Sequence, residues 1–174
     1  LLHDKCRSTD DDVRHLVALI SDTGVRLGEA TGLKVADIKI DCPTPHIHIR
    51  PNPIRRLKTK QSERQVPLIG ASLWAAKRVL AASSGEYAFP RYVKNGTCLA
   101  NSASATLNKW IRSNICNDLV VHGLRHGFRD RLREVGCPPE IADSLGGWSR
   151  NSIGESYGDG YSLKAKHEWL CKIA

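Results

Sequence analysis

The spacing of apolar residues changes its rhythm twice along this chain. Behind the polar stretch Ser8-Thr9-Asp10-Asp11-Asp12, Val13, Leu16, Val17 and Ile20 recur at helical spacing. The acidic residues stand where a helix N-terminus favours negative charge. TGVRLGEATGL, residues 23–33, predicts a glycine-containing turn, a short helix and an exit at Gly32. The rhythm then shortens. IKI at 38–40, HIHIR at 46–50 and RQVPLI at 64–69 alternate or carry β-branched residues, and they predict a small antiparallel sheet. From Ala71 helical spacing returns, over 71–83, about 101–116, 124–135, 139–146 and a last helix near 163–172. GEYAFPRYVKNG reads as a loop between the first two of these. No repeat or low-complexity tract intervenes, and glycines and prolines never collect into a linker. The expected fold is mainly α with a small antiparallel β-sheet, in the α+β class, with residues 1–174 forming one domain.

Composition leaves this picture in place. With 41% hydrophobic and 25% charged residues, a chain of 174 is an ordinary globular one, large enough to bury a core. No apolar run approaches the ~18 residues of a membrane span, and LLHDKCRSTDDD lacks the form of a signal peptide, so no membrane partner is expected. The lack of an initiator Met points to a fragment of a longer protein. Six scattered cysteines without a CxxC pair fit reduced, mostly packed thiols better than a disulfide framework or a zinc cluster. Charge does change the picture: a net +8 favours a polyanionic partner, nucleic acid first. Much of it gathers around the connection PNPIRRLKTKQSE, where Arg50, Arg55, Arg56, Lys58, Lys60 and Arg64 face only Glu63. Such a run is either a solvated loop or a positioned basic hairpin.

HGLRHGFRD, residues 122–130, carries the sharpest chemistry. On a helix, Leu124, Phe128, Leu132 and Val135 form an apolar stripe, and His122, Arg125, His126, Arg129 and Arg133 gather opposite it. One reading is a plain basic outer face. A second is a metal site on His122 and His126 at i, i+4, but it lacks a third ligand, and Arg125 would repel the cation. A third is half of a phosphate pocket, since arginine offers planar bidentate donors and histidine moves a proton near neutrality. These residues alone leave the three open.

Four separated motifs occur together: TGVRLGE, LKTKQSERQVPL, HGLRH and LGGWSRNSIGESYGDGY. In this order they resemble the catalytic domain of tyrosine recombinases of the phage-integrase type, from about Thr9 to Leu170. The resemblance implies that fold, and it implies site-specific cleavage and rejoining of DNA through a 3′-phosphotyrosyl intermediate. It places Arg26 as the first catalytic arginine, with Glu29 its buried partner, and Lys58 as the hairpin lysine, with Lys60 the less favoured substitute. His122 and Arg125 match the His-x-x-Arg box. Trp148 stands where many members have a second histidine. Tyr157, nine residues further, matches the nucleophile; Tyr161 is a rival at the wrong spacing. His126 is expected to be structural. Arg50, Arg55, Arg56, Lys60 and Arg64 are expected to meet the DNA backbone. No metal and no cofactor are implied. The partner is double-stranded DNA, with a homotetramer assembled on it by the full-length protein and a fragment monomeric without it. The family's N-terminal core-binding domain is expected to be absent from this chain. A bacterial mobile element such as a prophage, and a cytoplasmic, nucleoid-associated location, follow from the same resemblance. The last helix packs either on an adjacent protomer or on the protein's own core. A type IB topoisomerase and a non-catalytic DNA-binding module are the rival readings.

Overall fold

The helix at the centre of the fold is α2 (Asp12–Thr23), nearly every residue of which is buried. The computed structural model describes residues 1–59, 62–148 and 160–174. Asp11 caps α2 by accepting from the Arg14 amide at 3.0 Å, and Gly24 ends it in the left-handed region at φ 61°. That glycine is required twice over. Its backbone angle is one that side chains rarely adopt, and an added Cβ would stand 2.2 Å from the Phe128 ring. The N-terminal α1 (Leu2–Thr9) packs on α2 and was not anticipated. Only Cys6 of its residues is buried, so it shows no apolar stripe to read. The polar stretch 8–12 therefore ends one helix, with Asp10 at φ 51°, as well as starting the next.

The chain then runs through α3 (Leu27–Thr31) into three short strands, β1 (Ile38–Lys39), β2 (His46–Ile49) and β3 (Arg64–Pro67). They pair antiparallel in the order β1-β2-β3, with Ile47 opposite Val66 and Ile49 opposite Arg64. The basic connection thus joins two paired antiparallel strands, the second of the two readings open from the sequence. α4 (Gly70–Ala82) packs on α2. The segment read as a loop contains a further hairpin, β4 (Val93–Lys94) and β5 (Thr97–Cys98), turning through Asn95 at φ 49° and Gly96 at φ 68°. Asn-Gly is the pair that such a two-residue turn favours.

Three helices complete the frame: α5 (Ala100–Asn114), α6 (Val121–Glu134) and α7 (Pro139–Gly146). α6 buries Leu124, Phe128 and Leu132 against α2, as the stripe predicts. α8 (Leu163–Cys171) lies against β3, and Leu170 and Ile173 join the central core. In the single chain the segment after the helix is also tied down, the Ile173 carbonyl accepting from Arg131 at 3.1 Å. The cysteines are free, but only Cys6 and Cys137 are buried, and Cys116 and Cys171 are exposed. Among the described residues no helix is long and apolar enough to cross a membrane.

Candidate functional site

The turn at Gly24 delivers Arg26 to the start of α3, where Glu29 folds back to accept the Arg26 amide at 2.8 Å. The same carboxylate takes Arg26 Nη1 at 2.9 Å, so the side chain is fixed at its root. Nη1 also reaches Ser62 Oγ at 3.3 Å, and Nη2 donates to the Gly147 carbonyl at 2.9 Å. Arg125 approaches from α6 and donates to the Gly24 carbonyl and, at 2.6 Å, to the Gly146 carbonyl. Consecutive carbonyls at the end of α7 thus draw the two guanidinium groups into one cleft. It has a volume of about 290 Å³ and is lined by Arg26, Arg125, His122, Val25, Val121 and Ser104 among others.

The basic outer face expected for α6 needs correction at one position. Arg125 is 4% exposed, whereas His122 and His126 are open to solvent. Burial, together with Arg26 and Arg64, pushes the Arg125 guanidinium down to about 9. It is a cation short of counter-charge. The nearby carboxylate Glu29 is held by Arg64 and Arg26: burial pushes its carboxyl up, but hydrogen bonds and charge from Arg64, then Arg26, outweigh that and leave it below its ordinary range. His122 is lowered from its ordinary range by partial burial and by His126, Arg125 and Arg26, which favours the neutral imidazole. The His126 ring meets it edge-on, with centroids 4.8 Å apart.

Trp148 lies between two arginines. The Arg125 guanidinium carbon stands 4.4 Å from the ring centroid and that of Arg129 4.8 Å, and Arg129 is itself held by Asp143 at 3.0 Å. Gly146 makes room for the indole, since a Cβ there would fall 2.1 Å from it. Lys58 is exposed on the connection between β2 and β3. Its neighbour Thr59 bonds Ser62 Oγ at 3.1 Å, the atom that Arg26 also reaches, which brings this connection to the cleft. The expectations for Tyr157 and Lys60 lie outside the described residues. Tyr161 is exposed.

Two expected DNA contacts are interior residues. Arg55, 5% exposed, donates to the carbonyls of Glu29 and Arg50, and its stem lies over Gly32. Arg64, 6% exposed, is bonded to Glu29, Ser62 and Leu145. Both turn their guanidinium groups onto protein acceptors, through Nη1 and Nη2 in Arg55 and through all three nitrogens in Arg64. Arg50 is half-exposed and paired with Asp37 at 2.6 Å, and Arg56 is exposed. Arg64 lies in the cleft because Arg64 and Val66 share the inward face of β3 by simple alternation. Among the described residues, no group of three or more His, Cys, Asp or Glu side chains could hold a metal ion.

A family model described as the phage integrase family matches residues 2–162. The chain belongs to the phage integrase family. This phage integrase chain is similar to the tyrosine recombinase XerD of Corynebacterium glutamicum, with 29% identity over an alignment of 151 residues and coverage of 83% of this chain and 47% of the relative. It also resembles the Tn1549 transposon integrase solved with a circular intermediate DNA, with a TM-score of 0.60, 18% identity, and coverage of 92% of this chain and 58% of that one. A second structure of that integrase, with transposon right end DNA, gives a TM-score of 0.56, 20% identity, and coverage of 91% and 58%. These structural likenesses speak for the fold. The integrase chain spans about half the length of the relatives it matches.

Proposed function

We propose that this chain carries the catalytic centre of a site-specific DNA recombinase working by metal-independent transesterification. The observation that supports it most is the convergence of Arg26 and Arg125, from α3 and α6, in one cleft with His122, its neutral form favoured, beside them. In this reading the phenol oxygen of Tyr157 forms a bond to a backbone phosphorus, and the bond from phosphorus to the 5′-oxygen breaks. The phenol, whose ordinary pKa is near ~10, passes its proton to His122. Lys58 supplies a proton to the departing 5′-oxygen. Charge building on the nonbridging oxygens meets the two guanidinium groups, which act where a divalent cation acts in other phosphoryl-transfer sites. Trp148 adds a neutral N–H donor and, by its stacking, keeps Arg125 from swinging away.

Double-stranded DNA is the substrate, and Arg50, Arg56 and Lys58 are the residues that meet its backbone; Lys60 joins them from the sequence reading. Assembly as a tetramer on DNA belongs to the full-length protein. The deciding experiment is covalent trapping on a nicked suicide duplex, selected from a random-sequence pool by the full-length protein. The expected outcome is a protein–DNA adduct that persists with chelator and is lost in Tyr157→Phe while binding stays near normal. An adduct still formed by the Phe variant assigns the nucleophile elsewhere.

A further inference from the structure

Arg64 is 3% exposed at its side chain, and its bonds run to three different parts of the cleft. Nε donates to the Leu145 carbonyl at 2.7 Å. Nη1 donates to the Ser62 carbonyl at 2.7 Å and to Glu29 Oε1 at 3.2 Å, and Nη2 to Glu29 Oε2 at 2.9 Å. Glu29 is what holds Arg26. Ser62 ends the connection that carries Lys58. Leu145 begins the run of three carbonyls whose next two members hold Arg125 and Arg26. Gly147 leaves space for this guanidinium, since a Cβ there would stand 2.7 Å from Arg64 Nη1.

We propose that Arg64 is a positioning residue for DNA cleavage: it aims Arg26 through Glu29 and fixes the spacing between the β2–β3 connection and the end of α7. The proposal rests on the recombinase reading. Its physical basis is the planar fork of arginine, which can bridge a carboxylate and two carbonyls in fixed directions. A lysine keeps the charge beside Glu29 but offers one compact ammonium that cannot hold all three. A site held together in this way loses rate when its parts shift by a fraction of an ångström, even if DNA still binds.

The test compares Arg64→Lys with the unmodified full-length protein on the selected nicked duplex. It measures thermal midpoint, Kd and the single-turnover rate of adduct formation at saturating DNA. The expected result is a folded variant with unchanged Kd and a rate lowered by about 100-fold. In a Glu29→Gln background the same substitution lowers the rate by much less, because the two act through one network. An arginine with only a structural role changes the folded fraction and leaves the rate of the folded fraction at its original value, and that result overturns the proposal. Where Arg64→Lys fails to fold, Arg64→Gln, which keeps a planar donor toward the same acceptors without the full fork, is read in the same way. No adduct from the unmodified protein overturns the recombinase reading and this proposal with it, whereas an adduct formed equally fast by Arg64→Lys overturns this proposal alone.

Discussion

The cleft around Glu29 and the connection between β2 and β3 are both rich in arginine, and they use that charge in opposite ways. In the cleft, Arg26, Arg64 and Arg125 converge on one carboxylate and a row of carbonyls, and two of the three are buried. On the connection, Arg50 is half-exposed, and Arg56 and Lys58 stand in solvent. Arg64 and Arg125 have given up water, and all three are held by fixed partners, so in the proposed reading each acts through geometry. In the same reading Arg50 and Arg56 keep their water and act through long-range attraction, which salt weakens. Arg55 is the exception on the connection: it lies in the wrong region for its sequence neighbourhood and behaves like a cleft arginine.

The contrast is broken most severely at Glu29. Glu29→Ala leaves Arg64 buried without its partner and is expected to cost about 3–5 kcal/mol of stability, measured by denaturant unfolding. Arg26→Ala comes next. Losing one preorganised donor lowers adduct formation about 10²–10³-fold with modest change in binding, whereas Arg56→Ala leaves the rate at saturating DNA unchanged. A third comparison concerns salt. Arg56→Ala is expected to reduce the slope of log affinity against log salt by about 1, and Arg64→Lys to leave it unchanged. An equal loss of slope from both would erase the distinction between the two regions.

The smallest effect is in pH. Glu29 is held below its ordinary 4.5 in the folded state. The stability it contributes is therefore complete above about that value and is lost as pH falls through the lower folded value. Glu29→Gln should flatten this acid limb of the stability profile. His122, lowered from its ordinary range, should set an alkaline-rising limb in adduct formation centred below the usual histidine value.

The strongly periodic elements were legible because burial imposes their spacing. Val13, Leu16, Val17 and Ile20 in α2, and Leu124, Phe128 and Leu132 in α6, all face the core. The three-stranded sheet was legible for the same reason, since Ile47, Ile49 and Val66 alternate inward. α1 escaped because a helix that buries only Cys6 has no stripe, and β4–β5 escaped although Asn95-Gly96 marks its turn. For the site, Arg26, His122 and Arg125 could be named as candidates from separate motifs and do converge. What the sequence withheld was the difference between an arginine that faces solvent and one that faces a carbonyl. Arg55 and Arg56 are adjacent and identical in type, and only the fold separates them.

Arg55 also divides its loop into a foundation and a payload. It exchanges backbone hydrogen bonds with Asn52 at 3.0 and 3.1 Å, Asn52 reaches the Gly32 carbonyl at 2.8 Å, and the guanidinium grips the backbone of α3. The base of the loop is thereby welded to the helix that bears Glu29. Arg56 is exposed and lies outside this anchor. Its outward charge can therefore be altered without loosening the base of the loop, while the arginines inside keep their places.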